Sequence, residues 1–279
     1  MVSNVTPEEC LVAAIVCSSL SKVSDDMSTR KDQFYLALKT HSRQLPQGVV
    51  IVTVAIAKLA SRHLYAVVAT SDGTLYVAFR GTKSFADALV DAQFVWGLDA
   101  HGGRLHRGFA GRANAAAPEY LMFLATDQSR VCKTRTGRGA PAKRVVLCGH
   151  SLGGAVAQIA ALRLKVQLEA QHGHITSRKS TTRGQREQTT TIVAGDVACI
   201  TFGSPGWGDA GIRNLVDTHK WTGCFQNFIH ANDRIPTLLQ LDATLHMLDK
   251  GTRSISEAVG AILGGPIVRG LHQTLCAMH

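Results

Sequence analysis

The chain has 279 residues, of which 45% are hydrophobic and 18% charged, and its net charge is +10. That length suits one large domain with a sizeable core, and the composition excludes a wholly disordered or fibrous chain. No apolar run reaches the ~18–20 residues of a transmembrane helix.

The first sixty residues read as mainly helical. Thr6-Pro7-Glu8-Glu9 is a helix start, with Thr6 as N-cap, Pro7 in the first turn and Glu9 closing a capping box. Residues 11–20 are apolar, but Glu8 and Glu9 precede them where a secretory signal carries basic residues. The segment is therefore expected to be a packed helix. Seven cysteines (Cys10, Cys17, Cys132, Cys148, Cys199, Cys224 and Cys276) form no C-x-x-C pair. They read as reduced thiols, which fits a cytoplasmic protein better than a secreted one.

Residues 63–70 and 74–79 are rich in β-branched and aromatic side chains, and Asp72-Gly73 between them predicts a hairpin. Arg80-Gly81-Thr82 turns out of the second strand. A short helix is expected over 84–91, and another from Phe109 towards Leu124. Residues 133–142 read as a loop. Residues 145–148 form a short apolar run of the buried-strand kind, and a helix pattern covers 155–170. Residues 171–195 are polar and basic, which predicts an exposed, disordered insertion. Strands follow at 197–202 and 225–230. This alternation predicts an α/β protein: one domain over 1–279 with a mostly parallel central sheet and helices on both faces.

Charge is concentrated. Residues 130–186 hold twelve Lys or Arg and one acid, Glu169. The bland reading is a solvated surface, and the alternative is peripheral contact with an anionic membrane. No aromatic interleaving or nucleic-acid motif accompanies the charge, so no nucleic-acid partner is expected.

Gly149-His150-Ser151-Leu152-Gly153 carries the chemistry. A G-x-S-x-G between a buried strand and an amphipathic helix is a nucleophile elbow, and this setting predicts the α/β-hydrolase fold. Glycines flank the serine because side chains there would strike the neighbouring strand and helix. The serine stands at a helix N-terminus, where the Leu152 amide is one candidate oxyanion donor. A serine hydroxyl needs a base. In this fold the acid and then the histidine follow the serine along the chain. Asp233 lies in the loop after the 225–230 strand, at the carboxyl end where a triad acid belongs. His246, His272 and His279 are the downstream histidines.

Several stretches together resemble the class 3 lipase family, the fungal lipase-like α/β-hydrolases. They are Tyr76-Val77-Ala78-Phe79-Arg80-Gly81-Thr82 with Asp87 and Asp91, His106-Arg107-Gly108-Phe109, the elbow through Ala155, Thr201-Phe202-Gly203-Ser204-Pro205 with Gly208-Asp209, and Asn232-Asp233-Arg234-Ile235-Pro236. The resemblance implies Ser151 as nucleophile, Asp233 as triad acid and Thr82 as the second oxyanion contact. By the family's spacing the histidine is His279, with His272 as the alternative. His106 and Asp209 are implied to hold the loops around the site. Ala88 stands near the place of a lid tryptophan. The implied activity is ester hydrolysis of lipid esters, acylglycerol or phospholipid, with no metal and no organic cofactor, in a cytoplasmic or membrane-associated setting. His279 is the last residue, so a truncated C-terminus, and with it a lipase-like binding or signalling protein without turnover, is one alternative. An esterase for soluble esters is the other.

Overall fold

The computed structural model describes residues 5–24, 26, 29–58, 64–81, 96–115, 132–133, 139–140, 142–177 and 196–230. The chain divides into two compact units, Met1–Ile235 and Pro236–His279, and every described residue lies in the first.

Helix α1 (Pro7–Ser21) begins as its sequence dictates. The Thr6 hydroxyl accepts from the Glu9 amide at 3.2 Å, and the Glu9 carboxylate accepts from the Thr6 amide at 2.9 Å. Glu9 also pairs with Arg144, whose Nη2 stands 3.1 Å from Oε2. One carboxylate therefore caps the helix and pins its start to the sheet. Val12, Val16 and Leu20 are buried, so the apolar run at 11–20 packs as a core helix. Helix α2 is Arg30–His41.

The expectation of a mainly helical first sixty residues needs correction. Ile51–Lys58 is strand β1. Its sequence, IVTVAIAK, is rich in β-branched residues, which favour a pleated surface over a helix. β2 (Leu64–Thr70) and β3 (Thr74–Phe79) then form the expected hairpin, with Gly73 at φ 91° in its turn. β4 (Trp96–Leu98) and β5 (Arg104–His106) make a small ribbon, and α3 (Arg107–Ala115) follows directly. The loop expected at 133–142 contains a second small ribbon, β6 (Cys132–Lys133) and β7 (Gly139–Ala140), an antiparallel pair too short for sequence periodicity to register.

β8 (Arg144–His150) leads into α4 (Leu152–Ser177). This helix runs beyond the expected 155–170 and takes in the first seven residues of the segment read as disordered. Propagating an established helix costs far less than starting one, so weakly helical polar residues extend it. Residues 178–195 lie outside the described residues. β9 (Val197–Phe202), α5 (Ala210–Thr218) and β10 (Phe225–Phe228) complete the order, the last strand being two residues shorter than its expected span.

The sheet order is β1-β2-β3-β8-β9-β10. β1, β2 and β3 pair antiparallel, whereas β3, β8, β9 and β10 pair parallel. Side-chain alternation divides the core. Ala66, Val68, Tyr76, Ala78, Val146, Cys148, Ala198 and Ile200 share one cluster with α1. The intervening residues, such as Val67, Val77, Leu147 and Cys199, are equally buried on the face that α4 covers. Both faces are sealed, which explains why the central strands read as continuous apolar runs. Cys10, Cys17, Cys148, Cys199 and Cys224 are free thiols. No helix among the described residues is long and apolar enough to cross a membrane.

Candidate active site

Ser151 lies between the end of β8 and the start of α4, with φ at 54° in the left-handed region. A β-strand cannot feed a helix this abruptly without such a turn, and the turn lifts the serine off the sheet. The glycines around it are required by contact. A Cβ on Gly149 would run into the Gly153 carbonyl, and one on Gly153 would strike the Phe79 carbonyl oxygen. A Cβ on Gly154 would come within 2.8 Å of the Ser204 Cβ. β3 and the elbow therefore touch backbone to backbone, and the loop after β9 meets the elbow through the Ser204 side chain.

The exit of β3 passes directly beside the nucleophile. A Cβ built on Gly81 would lie 2.6 Å from the His150 carbonyl oxygen and 3.7 Å from the Ser151 Cβ. Arg80 fixes this exit: its amide donates to the Leu64 carbonyl at 2.9 Å, and its guanidinium donates to the Val23 carbonyl at 3.0 Å. Leu152 opens α4, so its amide belongs to the helix's first turn, where N–H groups lack an intrahelical acceptor. The structure thus brings together Ser151, Leu152 and the residue preceding Thr82. Thr82, Asp233, His272 and His279 lie outside the described residues, as do Asp87, Ala88 and Asp91, and with them the helix expected over 84–91.

Beneath the site is a polar network that the sequence reading did not single out. Gln158 on α4 donates to Ser204 Oγ at 2.7 Å and to Thr201 Oγ1 at 3.2 Å, and it accepts from the Trp207 indole. Asn227 on β10 accepts from Thr201 Oγ1 at 3.0 Å and donates to the Ser204 carbonyl at 3.2 Å. These bonds clamp the carboxyl ends of β9 and β10. The available signal was Thr201 and Ser204 inside a recognised motif. Gln158 reads as one polar residue on an apolar helix and announces nothing by itself.

His106 and Asp209 occupy the loop-holding positions expected of them. His106 is buried, stacks on Phe109 at 4.2 Å and meets Trp96 edge-on at 6.0 Å. Burial lowers its pKa to about 4. Asp209 N-caps α5 by accepting from the Ile212 amide at 3.2 Å, and it accepts from the Arg104 amide at 2.9 Å. It joins the β4–β5 ribbon to α5 through one carboxylate.

With this geometry in place, comparison with known proteins decides the family. Lipase (class 3) matches residues 76–242, more than half of the chain. The chain belongs to the class 3 lipase family. This lipase-family chain is 25% identical over 195 residues to a lipase of Rhizopus niveus and, equally, to one of Rhizopus oryzae. The aligned stretch covers 69% of this chain and 41% of each relative, so the chain spans about two fifths of their length. Among solved structures, a Rhizomucor miehei lipase propeptide complex superimposes with a TM-score of 0.54 at 21% identity, covering 85% of this chain and 64% of that one. A fungal lipase–inhibitor complex gives 0.53 at 19%, covering 85% and 76%. These likenesses establish the α/β-hydrolase fold for this member of the family.

Proposed function

We propose that this class 3 lipase family member is a serine carboxylic-ester hydrolase acting on lipid esters, acylglycerol or phospholipid, through an acyl-enzyme on Ser151. The observation that carries the reading is the left-handed Ser151 at the β8–α4 junction, packed against the β3 exit by glycines that tolerate no side chain. In this reading Ser151 attacks the ester carbonyl while His279, or His272 in its place, accepts the hydroxyl proton. Asp233 orients that histidine and stabilises its charged form. The Leu152 and Thr82 amides receive the developing oxyanion. The histidine returns its proton to the departing alcohol, and water then releases the acid by the same route. The lipid partner and a peripheral, membrane-facing setting in the cytoplasm belong to the same proposal.

Labelling by a fluorophosphonate probe tests it. Wild type is expected to label, and Ser151→Ala, folded by circular dichroism, is not. Hydrolysis of nitrophenyl esters of increasing chain length should rise towards long chains. A folded wild type without Ser151-dependent labelling overturns the hydrolase reading, and a preference for acetate over long chains overturns the lipid one.

A further inference from the structure

A concave surface is built from residues other than those of the elbow. A cleft of about 760 Å³ opens between the β4–β5 ribbon and one face of α3. Arg107, Ala110, Gly111 and Asn114 line it at the spacing of a single helix face. The ribbon contributes Trp96, Leu98 and Arg104, and α4 contributes Arg163. Arg163 stands three turns along α4, about 16 Å from the helix's first residue. None of the residues lining the cleft belongs to the elbow or to the exit of β3.

The lining is unbalanced in charge and mixed in polarity. Three guanidiniums face one carboxylate, Asp99. Asp99 stands 3.8 Å from Arg163 and 2.8 Å from His101. Arg163 is held further by the Ala110 carbonyl at 3.3 Å and by Asn114. One guanidinium is therefore fixed against the wall. Arg104 and Arg107 are exposed and have no ion-pair partner among the described residues. The Arg107 stem crosses Gly97, where a Cβ would stand 2.9 Å from its Cγ, so the residue is carried along the ribbon. At Gly111 a Cβ would meet nothing within 4 Å, so the α3 side of the cleft is open. Leu98 is 85% exposed, beside the half-buried Trp96.

An inorganic anion needs the guanidiniums but has no use for an exposed leucine. A purely apolar ligand leaves the charge excess unanswered. A phosphate-headed amphiphile satisfies both: planar guanidiniums bind phosphate oxygens in pairs, and an indole beside an aliphatic side chain suits the membrane–water boundary. The geometry points to this cleft as a binding place for the phosphate headgroup of an anionic phospholipid at a membrane surface, distinct from the ester being cut. The inference rests on the reading of the chain as a lipid-ester hydrolase, and it places a membrane contact on the ribbon and α3. Of the residues lining the cleft, only Arg163 belongs to the basic segment 130–186.

Co-sedimentation with vesicles tests it, using phosphatidylcholine alone and phosphatidylcholine mixed with phosphatidic acid. Wild type is expected to prefer the mixed vesicles. Arg104→Glu should weaken that binding about thirtyfold, a charge reversal near an anionic surface. Arg107→Gln, which keeps the stem across Gly97, should weaken it about fivefold. Leu98→Asn, which removes the apolar side chain without adding charge, should weaken vesicle binding while leaving competition by inorganic phosphate unchanged. Fluorophosphonate labelling of Ser151 in every variant reports that the fold and elbow are intact. Wild type that labels but shows no preference for phosphatidic acid overturns the cleft and leaves the hydrolase reading standing. Loss of labelling with the vesicle preference retained does the reverse. Inorganic phosphate binding as tightly as vesicles, with Leu98→Asn silent, identifies a soluble-anion site and overturns the lipid assignment. So does equal binding of an acidic polypeptide.

Discussion

The glycines of the elbow and Gly111 on α3 are the same residue under opposite constraints. At Gly149, Gly153 and Gly154 three backbone segments meet with no room for a methyl group. At Gly111 a helix surface faces open space. The elbow is held by contact, and the ribbon–α3 region is held by a few polar ties and the stacked, buried rings of His106 and Phe109. The elbow tolerates almost no change, whereas the α3 surface at Gly111 is a position where change is nearly free.

The largest expected effect breaks the elbow. Gly153→Ala places a Cβ against the Phe79 carbonyl and forces β3 and α4 apart. Overpacking of this kind costs about 1–3 kcal/mol in an adaptable core, and backbone on both sides of the clash places this site at or above the top of that range. Thermal denaturation should show either an unfolded chain or a melting point many degrees lower.

The second effect tests the ribbon region through its buried ring. His106 is neutral in the fold, with its pKa lowered to about 4 by burial, whereas an unfolded chain titrates near the ordinary value of 6.5. Below that value the unfolded state binds the proton that the folded state refuses. The stabilisation is therefore complete above about pH 6.5 and is lost as pH falls towards 4, by up to about 3 kcal/mol. Urea midpoints measured across this window should fall with acidity. In His106→Phe, which keeps a ring against Phe109, the slope should flatten.

The smallest effect has the opposite sign. Gly111→Ala has space for its Cβ and removes a flexible residue from a helix, so it should stabilise the protein by about 0.5–1 kcal/mol. An unchanged or lowered melting point would mean that the contrast between the two glycine environments is overstated.

The same contrast explains how much the sequence revealed. The hairpin, the central strands and the elbow were legible because turn residues, apolar runs and glycine spacing are local consequences of close packing. The Thr6 capping box was legible because its four residues contain the whole device. β1 was misread because a continuous apolar run with some β-branching has no period that separates a strand from a buried helix. The extent of α4 was misread because a long helix overrides the weak preferences of the polar residues at its end. The site divided similarly: Ser151 and Leu152 carry a spacing that only the elbow explains. The Gln158–Ser204–Asn227 clamp joins residues far apart in the chain, and only folding brings them together. The role of Arg80 is likewise long-range, since its partner is the carbonyl of Val23.

The positive φ of Ser151 sets its chemistry against its stability. A left-handed backbone, which Ser151 adopts, is easy for glycine and costs a residue with a Cβ about 1–2 kcal/mol. Ser151→Ala keeps that burden and loses only the hydroxyl, whereas Ser151→Gly sheds both. The glycine variant should therefore be inert towards the probe yet melt a few degrees above wild type. At this single dihedral angle chemistry and durability make opposing demands, and the chain has settled for the less durable option.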